Sequence, residues 1–285
     1  MKSIIYASLI SFLLFACNSK KQENTTDTTI VTDTLAQVID PSTETNGEIL
    51  AFGFTNENGN KVIAFEEGMN SQSLTNVIDN HGNNYELVYE NIQKGNENGV
   101  NLIPSNFNDC AGEVYKLKGN KKLNPDYSTV LVNAAFLETR KTLPIKSFNQ
   151  PEQIDESNKL SIQNDKKRKI KQAWKIAEIN NQQAFIVIFE PKKDSVLASL
   201  VIGGEKLIYR DYPAKYDEGS TWRVDDGGEF PNDAIKIIGA FLNANNELEI
   251  VIDWQGAEGA NIEYARANSN VFETVKEGAR YWGAL

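Results

Sequence analysis

Histidine is nearly absent from this chain, and cysteine is scarce. There is one His, His81, and there are two Cys in 285 residues. A His-Glu-x-x-His zinc helix needs two histidines and is excluded. A zinc site built from one His and one Cys would have to be completed by carboxylates, which such sites rarely use. No Gly-x-Ser-x-Gly elbow and no Ser-x-x-Lys pair occurs, so the common serine nucleophiles lack their local setting. Gly-x-x-x-x-Gly-Lys and Gly-x-Gly-x-x-Gly are missing too, which leaves nucleotide binding without support. Basic residues are outnumbered, 29 Lys and Arg against 39 Asp and Glu, for a formal net charge of −10. That sign argues against nucleic acid or an anionic lipid surface as a partner. His81 itself sits among Gly and Asn and reads as an exposed turn residue.

One apolar run is present, at the start. Met1-Lys2-Ser3 is short and positively charged, and Ile4 to Phe15 is apolar except for Ser8 and Ser11. The order of charge, a hydrophobic stretch of roughly 7–15 residues and a small residue before the cut is that of a secretory signal. The run is shorter than the ~20 apolar residues that span a bilayer. Leu14-Phe15-Ala16-Cys17 resembles the lipobox of bacterial lipoproteins, with Leu three places before the Cys and a small residue next to it. The resemblance is confined to this segment. It implies removal of residues 1–16, with Cys17 as the mature N-terminus carrying a diacylglycerol thioether and an N-acyl chain such as palmitate. Two or more chains hold a protein stably where one holds it weakly. Asn18 is not the Asp that commonly retains such proteins in the inner membrane, and Ser19-Lys20-Lys21 is basic rather than acidic. The expectation is therefore an outer-membrane lipoprotein facing the periplasm.

Loss of Lys2 with the signal takes the formal net charge to −11. Lipidation of Cys17 leaves Cys110 without an intrachain partner, and a lone Cys is more often buried than reactive. Residues 17–47 are rich in Thr, Asn, Gln and Asp, too polar to offset their ordering entropy by burial. They read as a tether spanning roughly 30 Å as a coil, with one apolar spot at Ile30, Val31, Leu35, Val38 and Ile39.

From residue 48 the pattern is short strands between turns, giving a mainly β, antiparallel meander. Segments 48–55 and 61–66 flank Asn56-Glu57-Asn58-Gly59-Asn60, and 73–78 and 85–91 flank Asp79 to Asn84, both hairpin signals. Segments 184–190 and 195–202, 207–212, and 260–265 and 271–276 follow the same scheme. Leu248, Ile250, Ile252 and Trp254 alternate with Glu249, Val251 and Asp253, the period of a strand. Phe54 to Asn60 looks like Phe241 to Glu247, which raises propeller-like or duplicated sheet units as alternatives. One helix is expected near 158–180, because Ile170, Ala173, Trp174 and Ala177 recur at helical spacing; Lys166, Lys167, Arg168, Lys169 and Lys171 would form its solvated face. The expected units are 48–150 and 151–285, with the boundary near Pro151.

Only carboxylates remain as chemistry. Asp225-Asp226-Gly227-Gly228-Glu229 has two readings: a calcium-binding loop, since Ca²⁺ takes six to eight oxygens, or a tight turn. Trp222, Asp253, Trp254 and Glu258, with Tyr281 and Trp282, form the candidate glycan-facing set, since sugar-cleaving sites need paired carboxylates. The expected function is a non-catalytic binding or structural module of the cell envelope, taking an envelope protein or a glycan. The alternative is a carboxylate-based glycan or peptidoglycan hydrolase. No cofactor is expected other than calcium on the first reading of the loop.

Overall fold

The structure is a computed structural model. It describes residues 47–283 apart from 66–72, 205, 218–220, 223–229 and 234. The signal segment, Cys17 and the tether lie outside the described residues. The protein is mainly β, as the alternation of apolar residues and turns requires.

Six strands close a barrel in the order β1-β2-β5-β4-β3-β6. They are β1 (Leu50–Thr55), β2 (Lys61–Ala64), β3 (Asn76–Ile78), β4 (Asn84–Lys94), β5 (Ala111–Leu117) and β6 (Thr129–Val132). Ala51, Val62, Ala64, Val77, Tyr115, Leu117 and Leu131 are buried together in one cluster. A short helix α1 (Ala134–Glu138) follows, capped by the Asn133 side chain, which accepts from the Phe136 amide at 3.0 Å.

Ten further strands form one curled sheet, ordered β7-β13-β14-β15-β16-β12-β11-β10-β9-β8. These are β7 (Arg140–Thr142), β8 (Ile145–Gln153), β9 (Ile170–Ile179), β10 (Gln182–Phe189), β11 (Ser195–Gly203), β12 (Ile208–Lys215), β13 (Ile235–Asn243), β14 (Leu248–Gln255), β15 (Gly259–Asn268) and β16 (Val271–Tyr281). Two residues, Leu143 and Pro144, carry the chain from one edge of the sheet to the other. The Leu143 amide donates to Ala240 on β13 (2.9 Å), and the Pro144 carbonyl accepts from Asn180 beyond β9 (3.0 Å). The concave face is filled by aliphatic residues, among them Ile186, Leu200, Ile237, Ile250 and Ile252. Each such side chain contributes about 1.5–3 kcal/mol by leaving water.

Neither unit is a four-stranded blade. The likeness of 54–60 to 241–247 is a likeness of turns. Asn56 and Asn243 each head a turn in which the amide three residues on donates to their carbonyl, at 2.9 Å in both. Their side-chain oxygens accept further turn amides. Asp79 heads a third such turn. The third residue after each head has positive φ: Gly59 (66°), Gly82 (81°) and Asn246 (59°). Gly and Asn tolerate that backbone.

The helix expected near 158–180 is corrected. Helix α2 covers Glu156–Lys166 and ends at Lys167, whose φ of 49° is left-handed. Residues 170–179 are strand β9. Two bulges contribute to the false period: Ile188 faces Gln172 but Phe189 faces Ile170, and Ala184 faces Ala177 but Phe185 faces Lys175, so Lys171 and Ile176 are extra residues. Each added residue shifts the strand's alternation by one, and β9 is covered on both faces, Ile170 and Ala173 in one cluster and Trp174 and Ala177 in another, so the four fall at helical spacing without sharing a face. The basic run therefore straddles a helix end and a strand. Lys166 bonds Asp211 at 2.6 Å, and Arg168 donates to the Glu190 carbonyl at 2.8 Å.

Barrel and sheet share a core. Leu50, Phe52, Ile78, Val130 and Val132 of the barrel pack with Phe136 of α1 and with Ile238, Phe241, Val251, Ile262 and Tyr264 on the convex side of the sheet. Gly278 makes room for this contact, because a Cβ there would lie 2.6 Å from the Phe52 ring.

Candidate functional site

The site lies where β12 and β16 part. These strands run parallel and share one ladder pair, Tyr209 opposite Val271, with the Tyr209 amide donating to the Asn270 carbonyl at 3.0 Å. Backbone alternation turns Asp211 and Pro213 toward the same side. Pro213 has no N–H to give, so the ladder cannot run on through it. The strands diverge beyond this point. The concave face between them is left open as two adjoining depressions of about 490 and 350 Å³, which share Trp254 and Asn261.

Aromatic residues line the opening. Trp222, Trp254 and Tyr281 border the larger depression, and Tyr281 is 45% exposed. Trp254 meets Tyr212 edge-to-face, with centroids 4.8 Å apart, and Phe230 lies 5.3 Å from Trp254. Phe230 also meets Trp222 edge-to-face at 5.5 Å. The Trp222 indole donates to the Tyr212 carbonyl at 3.0 Å. These contacts fix the ring orientations, which suits a preformed binding wall.

Charged residues flank the aromatics. Glu258 sits on the rim of the larger depression. Arg210, Glu263 and Glu277 border the smaller one. Arg210 grips Glu263 with two nitrogens, at 3.1 and 3.0 Å. Glu277 stands directly across from Glu263 on the neighbouring strand. Neither Glu277 nor Glu258 has an ion-pair partner among the described residues. The Tyr212 hydroxyl is buried and bonds no described residue. Burial, then the nearby Glu263 charge, pushes its pKa well above the usual phenol value.

Of the four candidate glycan-facing residues, Trp222, Trp254 and Glu258 come together here and Asp253 does not. Strand alternation sends Asp253 to the opposite face, where it is fully buried. One of its oxygens accepts from the Ser128 amide at 3.2 Å, and the other bonds no described group. Burial raises its pKa, against the pull of the Ser128 hydrogen bond and the Arg280 charge. Asp253 is thus buried away from the cleft, whereas Glu258 sits in the loop between β14 and β15 on its rim. Trp282 lies outside the cleft lining, its indole donating to the Ala257 carbonyl at 2.9 Å.

Asp225, Asp226 and Glu229 lie outside the described residues. Among the described residues, no group of three or more His, Cys, Asp or Glu could hold a metal ion. Cys110 is fully buried, its thiol 3.3 Å from the Asn106 carbonyl. His81 is exposed in its turn, and its carbonyl accepts from the Ile145 amide at 3.0 Å.

Comparison of the chain with family models, with curated proteins and with solved structures finds no match. The geometry therefore carries the functional reading alone. Arg210, Tyr212, Glu263 and Glu277 were not singled out by sequence. Their alternation within β12, β15 and β16 was visible, but their convergence depends on strand register across residues up to 67 apart, and short motifs do not record it.

Proposed function

We propose that this chain is a lipid-anchored protein of the cell envelope whose folded domain binds a glycan in the cleft between β12 and β16, without cleaving it. The observation that carries the reading is the side-by-side placement of Trp222, Trp254 and Tyr281 on one open, concave surface. Flat aromatic faces offer apolar area at little entropic cost, and the adjacent Asn261 and Glu258 supply hydrogen-bonding groups of the kind that orient a polyhydroxylated ligand. The hydrolase alternative needs two carboxylates flanking one bond; of its candidates, Asp253 is buried away from the cleft, Glu258 lies on the rim, and Asp225 and Asp226 lie outside the described residues.

The test is titration of the purified domain with oligosaccharides of the bacterial envelope, read by calorimetry. Saturable binding is expected, weakened at least tenfold in Tyr281→Ala, a surface change that spares the core. Unchanged binding in Tyr281→Ala and in Trp222→Ala would overturn the placement of the site. The anchor is tested separately: Cys17→Ala should move the protein from the membrane fraction to the soluble one, and retention on membranes would contradict it.

A further inference from the structure

We infer that the ligand of this cleft carries positively charged amino groups, so that the glycan bound is one rich in unacetylated amino sugar. The inference rests on the glycan reading and adds the charge of the ligand. Its basis is an unbalanced charge pair. Glu263 and Glu277 are direct cross-strand neighbours on β15 and β16, a placement in which like charges destabilise a sheet. Among the described residues, the cation that meets this pair, Arg210, is spent on Glu263 through two hydrogen bonds, and Arg280, which borders the adjoining depression, is buried and donates to the Leu102 carbonyl. Thr274 supplies a further donor to Glu263. Glu277 is exposed at the mouth of the cleft and has no cationic partner among the described residues.

A folded protein that keeps such a repulsion gains nothing from it in isolation. An ammonium group placed between Glu277 and Glu263 would relieve it, because three N–H donors meet carboxylates that still have free lone pairs. The aromatic walls favour the same ligand. A cation held over the face of Trp254 or Tyr281 is attracted by the ring quadrupole. Glu258, on the rim of the adjoining depression, adds a second negative charge without a described cation. An anionic sugar, by contrast, would meet carboxylates at both ends of the opening.

The test compares a glucosamine hexamer, which bears free amines, with the N-acetylglucosamine hexamer and with hexalysine, at a pH where the amines are protonated. Calorimetry reads wild type, Glu277→Gln and Tyr281→Ala. The expected result is binding of the glucosamine hexamer about tenfold tighter than its acetylated form. Glu277→Gln should cut that preference about threefold, the size of a partly exposed ion pair. It should leave the melting temperature equal or higher, since it removes a repulsion. Tyr281→Ala should weaken both sugars. Equal binding of the two hexamers overturns the charge inference and leaves glycan binding standing. Hexalysine binding with no sugar binding overturns both. A preference unmoved by Glu277→Gln overturns the placement of the amine.

Discussion

Asp253 takes up a carboxylate position where its charge is penalised: no exposure, one orphan oxygen, and an arginine that interacts with it without bonding it. Its pKa in the folded state is raised, so folding binds a proton there that the unfolded chain releases. The contribution of this group is therefore fully present below the carboxyl pKa of the unfolded chain and is lost as pH climbs through the raised folded value. Asn keeps the acceptor for the Ser128 amide, removes the charge, and offers an N–H toward the Ser128 hydroxyl, itself unpartnered. Asp253→Asn should thus raise the melting temperature near pH 8 and have a smaller effect near pH 4. A lower melting temperature at pH 8 would show that the charge is needed. Glu249 is the contrasting case. Burial alone would raise its pKa, but hydrogen bonds from Tyr264, Arg140 and Arg266 hold it below the usual carboxylate range. Full satisfaction is what separates the two buried acids.

At the scale of elements, turns govern what the strands can do. Asn180 and Asn181 both have positive φ, 44° and 69°, and join β9 to β10 as a two-residue hairpin of the type that favours Asn and Gly. Asn181→Ala should cost about 1–2 kcal/mol, measured by urea unfolding, while Asn181→Gly should cost little or nothing. Equal losses in both would remove the backbone explanation. This turn also shows why the chain is only partly legible. The pairs β1/β2, β3/β4, β10/β11 and β15/β16 could be read from alternation and turn residues, because both signals lie within about a dozen residues. Strand β9 could not, because two bulges and burial on both faces imposed helical spacing on it and Asn180-Asn181 was its only local marker. Of the cleft, Trp222, Trp254 and Glu258 stood out by rarity and clustering. Asp253 was misplaced by ignoring the strand alternation of the very segment that contains it, since its neighbour Trp254 must face the other way.

At the scale of the molecule, barrel and sheet are held by an apolar seam rather than by a hinge of their own. Phe52 reaches over Gly278, and a methyl group there would meet the ring at 2.6 Å. Overpacking of this kind costs about 1–3 kcal/mol. Gly278→Ala should lower the unfolding free energy by that amount in a single transition for both units. Two separate transitions would indicate that the seam does not couple them. Leu143-Pro144 links the two edge strands of the curled sheet, β7 and β8, and the cleft lies within the sheet, beside β12 and β16, which share a single ladder pair. No described helix is long and apolar enough to cross a membrane; attachment by a lipid on Cys17 is a proposal that the Cys17→Ala variant tests. The closing test uses the four tryptophans, Trp174, Trp222, Trp254 and Trp282, as internal reporters. In a ¹⁵N-labelled sample each indole N–H gives one resonance. Addition of the glucosamine hexamer should shift the Trp222 and Trp254 indole signals and leave those of Trp174 and Trp282 in place. Movement of Trp174 or Trp282 alone, or of none of the four at saturating ligand, would contradict the account.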